Sequence, residues 1–139
     1  MEKAQMDAAH DDAYGEPAIR VVLMPKDTNA HGTIFGGIIL SQIDLAGSVE
    51  VRRHTRHPVV TVALEKVIFH APVFVGDIVS FYTRIARLGR TSATVHVKVV
   101  AERARERGTR VDVTEAEVVY VAIDAQNKPV PLRDGDDAT

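Results

Sequence analysis

The spacing of apolar residues changes along the chain, and each change predicts an element. IRVVLM, from Ile19 to Met24, is a short apolar run stopped by Pro25 and reads as a strand. Lys26 to Gly37 gathers three glycines with Asp27, Thr28 and Asn29 and reads as a loop. From about Gly37 to Thr55 the period becomes helical. On a wheel of about 3.6 residues per turn, Ile38, Ile39, Leu40, Ile43, Leu45, Ala46, Val49 and Val51 cover more than half of the circumference. Ser41, Asp44, Ser48 and Arg52 fall in one narrow stripe at spacings of three and four. A surface helix has the opposite proportions, so the pattern predicts a helix mostly wrapped by the rest of the chain, with a slim polar seam. Arg52, Arg53 and His54 in its last turn place positive charge at the carbonyl end of the macrodipole.

The remainder predicts strands. They are Val59 to His70, Ile78 to Gly89, Thr91 to Glu102 and Val111 to Asp124. The third of these alternates cleanly, with Val95, Val97 and Val99 on one face and His96 and Lys98 on the other. LGRTS suits a tight hairpin around Gly89, and RERGTR is a polar turn before the last strand. Strand, helix, then four strands with short connections is an α+β layer architecture, one long helix against an antiparallel sheet. Residues 1–17 read as a disordered leader and 133–139 as a flexible, solvated tail, leaving 18–132 as a single domain.

Composition narrows the function classes. The chain has 139 residues, 45% hydrophobic and 26% charged, and a formal net charge of −2, so no global field recruits nucleic acid or an acidic membrane surface. The absence of cysteine excludes disulfides, a thiolate nucleophile and cysteine-ligated zinc. The longest apolar runs fall far short of a bilayer span, and Met1 to Glu16 is too acidic and polar for a signal peptide. The expectation is a cytoplasmic protein with no membrane insertion.

One carboxylate, Asp44, stands in the apolar helix, where an ionised group is costly unless compensated. Either the seam faces solvent and Asp44 is an ordinary surface charge, or the seam lines a cleft and Asp44 is catalytic. Gly36 and Gly37 bear on the choice. They lie at the helix N-terminus, where free backbone N–H groups can meet a developing negative oxygen, although a tight turn into the helix would also account for them. Gly47, one turn beyond Asp44, leaves room for something unspecified.

PKDTNAHGTIFGGIILSQIDLAG resembles the motif of the short bacterial acyl-CoA thioesterases of the hotdog fold. The matching positions are Asp27, Thr28, Asn29, Gly32, Ile34, Phe35, Gly36, Gly37, Ile39, Leu40, Ile43 and Asp44. VVTVALEKVIFHAPVFVGDIV looks like the second strand of that family with its following turn, and Arg90 to Ser92 stands where relatives carry a small polar hairpin. The resemblance spans about Ile19 to Leu132. It implies a long central helix wrapped by a curved antiparallel sheet, a homodimer with two active sites at its interface, and assembly of dimers into trimers of dimers. It implies acyl-CoA as substrate, Asp44 as the catalytic carboxylate, Asn29 as its polar partner from the facing subunit, and an N–H at Gly36 or Gly37 polarising the thioester carbonyl. His31 and Ile38 stand where relatives carry Asn and Trp, beside the site, which bears on acyl length.

Asp44 would either attack the thioester directly or act as general base on water. No separate cofactor is called for, since coenzyme A is part of the substrate. Its phosphates call for basic groups. Arg90 leads, with Arg87, Thr91 and Ser92 beside it; Arg84, Arg103, Arg105, Arg107 and Arg110 are further candidates. His54 and His57 share the helix end as a weak metal-ligand pair, with a plain electrostatic role as the alternative, and no metal is expected. Two rivals remain: a hotdog hydratase acting on enoyl or hydroxyacyl thioesters, against which the seam offers no histidine, and a non-catalytic module that binds acyl-CoA.

Overall fold

The computed structural model describes residues 15–134; the expected leader up to 14 and the tail from 135 onward lie outside the described residues. The elements are β1 (Ile19–Val22), a single 3-10 turn (Pro25–Asp27), α1 (Gly36–Val51), β2 (Val59–Phe69), β3 (Ile78–Leu88), β4 (Ser92–Glu102) and β5 (Arg110–Ala122). All strand pairings are antiparallel, in the order β1-β3-β4-β5-β2. The helix ends earlier than its periodicity suggests. Arg53 N–H reaches only as far back as Glu50 O, and His54 N–H as far as Val51 O, a tightened turn that closes the helix before Pro58.

The alternation of β4 decides the layers. Val95, Val97 and Val99 are fully buried and face Ile39, Ile43, Ala46 and Val51 of α1 in one core. Burying one such side chain contributes roughly 1.5–3 kcal/mol. The other face of β4 is covered by its neighbour: Lys98 Nζ lies 3.1 Å from Asp112 Oδ1, and His96 lies between Glu115 and Glu117. The lysine and the histidine thus meet carboxylates of the adjacent strand.

Among the described residues, strand β2 has a neighbour on one side only, and it is irregular. Its register with β5 slips between Thr61 and Ala63 and again between Glu65 and Ile68, where Lys66 takes a φ of 52°. Such bulges bend a strand and re-aim its side chains.

The helix is less wrapped than its pattern predicts. The single sheet covers the side carrying Ile39, Ile43, Ala46, Gly47 and Val51, and leaves Leu45 56% exposed and Val49 36% exposed beside the polar seam. Val60, Val62, Ile68 and Phe69 of β2 are also exposed. The described residues form one sheet with which to cover a helix that is apolar on most of its circumference.

Candidate functional site

Asp44 is half-exposed at the middle of α1, and two residues of the sheet hold it. Its carboxylate Oδ1 accepts a hydrogen bond from Thr61 Oγ1 at 2.6 Å, and its backbone carbonyl accepts one from the Tyr120 hydroxyl at 2.6 Å. Thr61 and Tyr120 are direct cross-strand partners, and the first bulge of β2 follows Thr61 immediately. Burial, then the neighbouring Asp44 carboxylate, push the Tyr120 phenol far above its ordinary range, so it remains a protonated donor. The room left by Gly47 has an occupant: a Cβ there would collide with the Tyr120 hydroxyl oxygen.

The loop before α1 forms a second centre. Asn29 Oδ1 accepts from His31 N (2.8 Å) and Thr33 N (3.2 Å), while its Nδ2 donates to Thr33 Oγ1 at 2.9 Å. Two backbone donors on one atom identify that atom as the oxygen, and one amide hydrogen remains to be offered elsewhere. Gly32, at a φ of 86°, closes this turn in the left-handed region. Phe35 N–H binds Asp27 O and Ile34 N–H binds Val73 O, which fixes where the helix starts. Gly36 and Gly37 then occupy its first turn, where the helix supplies no acceptor for their N–H groups. A hollow of about 380 Å³ opens beside Gly36, lined by Ile34, Ile39, Phe69 and Val73.

These two centres do not meet within one chain. Two helical turns separate Gly37 from Asp44, roughly 10 Å along the axis. An attacking group and an oxyanion donor each lie about 3 Å from atoms of the same carbonyl. Even with the Asp44 side chain leaning toward the N-terminus, the gap is too long. Within one chain, Asn29, Gly36 and Gly37 therefore form one cluster and Asp44 belongs to another.

The arginines divide similarly. Arg103 donates through Nη1 to the buried Asp77 carboxylate at 2.8 Å and to Pro72 O at 2.9 Å. Asp77 also accepts from Phe74 N and Ala104 N, so it ties the turn after β2 to the hairpin after β4. Arg110 donates to the Tyr82 hydroxyl at 2.9 Å on the outer face. Arg87 and Arg90 are exposed, with Thr91 and Ser92 half-buried beside them. Gly89 N–H closes the hairpin on Ser92 O at 2.7 Å. Ser92 pairs with Val121, the neighbour of Tyr120, which puts the hairpin at the end of the sheet that carries Asp44.

At the helix end, His54 lies 3.4 Å from Glu50 and His57 lies 3.3 Å from Asp134. The Arg56 guanidinium, with His57 adding to it, holds the Asp134 carboxyl below the usual carboxylate range. The two histidines thus engage separate carboxylates. No group of three or more histidine and acidic side chains among the described residues could hold a metal ion. No helix among them is long and apolar enough to cross a membrane. Thr61 and Tyr120 were missed in the sequence, where a threonine and a tyrosine in strands carry no motif; the bulge that aims Thr61 leaves no local signature.

Comparison with known proteins agrees with this fold. The family profile described as Thioesterase superfamily matches residues 31–107. Acyl-CoA thioester hydrolase YciA of Salmonella typhimurium is 41% identical over 129 residues, covering 91% of this chain and 97% of the relative. A hexameric hotdog fold thioesterase of Campylobacter jejuni superposes with a TM-score of 0.82 at 42% identity, over 90% of this chain and 96% of that one. The hexameric thioesterase of Yersinia pestis gives a TM-score of 0.80 at 38% identity, over 86% and 97%. The hotdog architecture expected from the sequence is thus borne out, and the chain belongs to the thioesterase superfamily.

Proposed function

We propose that this chain is an acyl-CoA thioester hydrolase, releasing a free carboxylic acid and coenzyme A. The observation that carries the reading is the Asp44 carboxylate, oriented by Thr61 on the open side of the helix, in a chain 41% identical to a named acyl-CoA thioester hydrolase. Asp44 takes a proton from water as the water attacks the thioester carbonyl, or attacks that carbonyl itself to form an anhydride that water then opens. The N–H groups of Gly36 and Gly37 receive the oxyanion, and the free amide hydrogen of Asn29 orients the substrate or the water. The carbon–sulfur bond breaks and the thiolate of coenzyme A leaves, gaining a proton. The chemistry requires no cofactor, and its substrate belongs to the cytoplasm.

Two half-sites too far apart in one chain call for a second copy. A two-fold axis beside α1 would bring Asp44 of one protomer to Asn29, Gly36 and Gly37 of the other, in an interface that repeats the same contacts twice. Exposed Leu45, Val49, Val60 and Val62, with the unpaired edge of β2, suit such a surface. Assembly of three dimers would follow the hexameric relatives. The apolar hollow beside Gly36 would take the acyl chain, and Arg90, with Arg87, Thr91 and Ser92, the phosphates of coenzyme A.

The test is free thiol release from acyl-CoAs of increasing chain length, run beside enoyl- and hydroxyacyl-CoA. Thiol release is the expected result. Binding without release would leave a non-catalytic module, and hydration of the enoyl thioester would leave a hydratase.

A further inference from the structure

We propose that Tyr120 is a positioning residue for Asp44, and that Gly47 is glycine so that the tyrosine hydroxyl can reach it. The inference rests on Asp44 performing the hydrolysis proposed above.

Tyr120 is 1% exposed, and its hydroxyl reaches α1 from β5 to donate to the carbonyl oxygen of Asp44 at 2.6 Å. In a helix that carbonyl already accepts from the amide four residues on, so the phenol occupies its second lone pair. The approach runs over Gly47. A Cβ at this position would collide with the hydroxyl oxygen and would stand 3.0 Å from Cζ and 3.1 Å from Cε2 of the same ring. Glycine is unfavourable inside a helix relative to alanine, and Gly47 lies in the interior of α1 among buried residues. The loss in helix propensity is matched to one contact, with one residue, at the turn that carries the carboxylate.

The sheet supplies the second grip. Tyr120 and Thr61 stand side by side across β5 and β2, and Thr61 holds the carboxylate of the residue whose carbonyl Tyr120 holds. Asp44 is therefore gripped at backbone and side chain by one cross-strand pair. The Thr61 bond alone leaves the carboxylate free to move with its helical turn. The Tyr120 bond fixes that turn to the buried face of β5. A misplacement of about 1 Å at a reacting group can cost two orders of magnitude in rate, which is the scale on which such a brace acts. Burial holds the phenol far above its ordinary range, so it stays a protonated donor.

Three variants test this: Tyr120→Phe, Gly47→Ala, and the two together, with kcat, KM and thermal midpoint measured for each. Phenylalanine keeps the ring and removes only the hydroxyl, so Tyr120→Phe should lower kcat about tenfold with KM within about twofold. Gly47→Ala should lower both kcat and the thermal midpoint, because its methyl displaces the hydroxyl. In the double variant the methyl occupies the space the hydroxyl has left. Stability should then recover toward wild type while kcat stays at the Tyr120→Phe level. A purely structural contact predicts that kcat returns with stability, and that result overturns the proposal. So does a Tyr120→Phe variant with wild-type kcat. If the wild-type chain releases no thiol from any acyl-CoA, the proposed function falls and the positioning role with it. Wild-type turnover with an indifferent Tyr120→Phe removes the positioning role alone.

Discussion

Asp44 and Asn29 are both polar residues central to the proposed site, yet the fold holds them by different means. Asp44 is gripped from outside its own helix, by Thr61 and Tyr120 on two adjacent strands. Asn29 holds itself: its side-chain bonds go to His31 and Thr33 within a loop it organises. The loop is in turn attached at one remove. Ile34 binds Val73, and the turn containing Val73 is fixed by Asp77 and Arg103. Asp44 is thus held directly by the sheet. The Asn29 loop is fastened to the sheet through a buried ion pair, while Gly36 and Gly37 share α1 with Asp44. Two pieces braced independently can be altered independently, which makes their division testable.

The largest effect belongs to the carboxylate itself. Asp44→Asn keeps the shape, and the Thr61 hydroxyl can still donate to the amide oxygen, but the charge is gone. Turnover should fall at least about a hundredfold, with the thermal midpoint close to that of wild type. Near-normal turnover would make Asp44 a surface charge and collapse the distinction between the halves.

A comparable change in free energy, expressed as stability, should come from the other brace. Asp77 is 2% exposed, with Arg103, Phe74 N and Ala104 N as donors. Removing one partner of a buried ion pair typically costs about 3–5 kcal/mol, so Asp77→Ala should lower the unfolding free energy by about 3 kcal/mol in denaturant titration. A change under about 1 kcal/mol would show that the donor loop has another anchor.

A mixing experiment then asks whether the halves belong to different chains. Asn29→Ala and Asp44→Ala, each inactive, are unfolded and refolded together in equal amounts. Random pairing makes half of the dimers mixed, and each mixed dimer has one fully wild-type site, so about a quarter of wild-type activity should return. If one chain supplied both residues to a site, every site would keep a defect and nothing would return. Differently tagged wild-type chains, carried through the same procedure, establish that subunits reassort.

Most of the fold was legible before any coordinates. The alternation of β4 identified its buried face residue by residue, and every strand start agrees within one residue, because period two is enforced by the pleat itself. Asp44, Asn29, Gly36 and Gly37 were legible as candidates because they stand close together in sequence around one helix start. That Asn29 and Asp44 come from facing subunits was implied by the family resemblance alone, since residue type and spacing carry no axial distance. Thr61, Tyr120 and Asp77 were illegible for a related reason. Each acts across the sheet on a residue far away in the chain, and strand register and bulges determine which residue that is. The exposed Leu45 and Val49 show the same limit, because a wheel reports that a stripe is apolar without reporting what covers it.

The smallest expected effect concerns the β3–β4 hairpin, and it sharpens the comparison by adding a part far from the chemistry. Arg90 is exposed on a turn whose backbone is fastened on both sides, with Leu132 N–H bound to Arg90 O and Ala122 N–H to Thr91 O. These backbone bonds do not involve its side chain, so Arg90→Ala should keep the hairpin in place. A phosphate contact at this distance is made equally in the ground state and the transition state. Uniform binding of that kind appears in KM and not in kcat. One exposed ion pair is worth up to about 1 kcal/mol, so KM for acyl-CoA should rise about threefold to fivefold with kcat unchanged. The difference from wild type should shrink as salt is raised, since screening over about 10 Å at 0.1 M ionic strength already weakens exposed pairs. A fall in kcat at constant KM would move Arg90 into one of the two half-sites. An unchanged KM at low salt would remove the hairpin from the substrate surface and direct the search for the phosphate contact to the other exposed arginines.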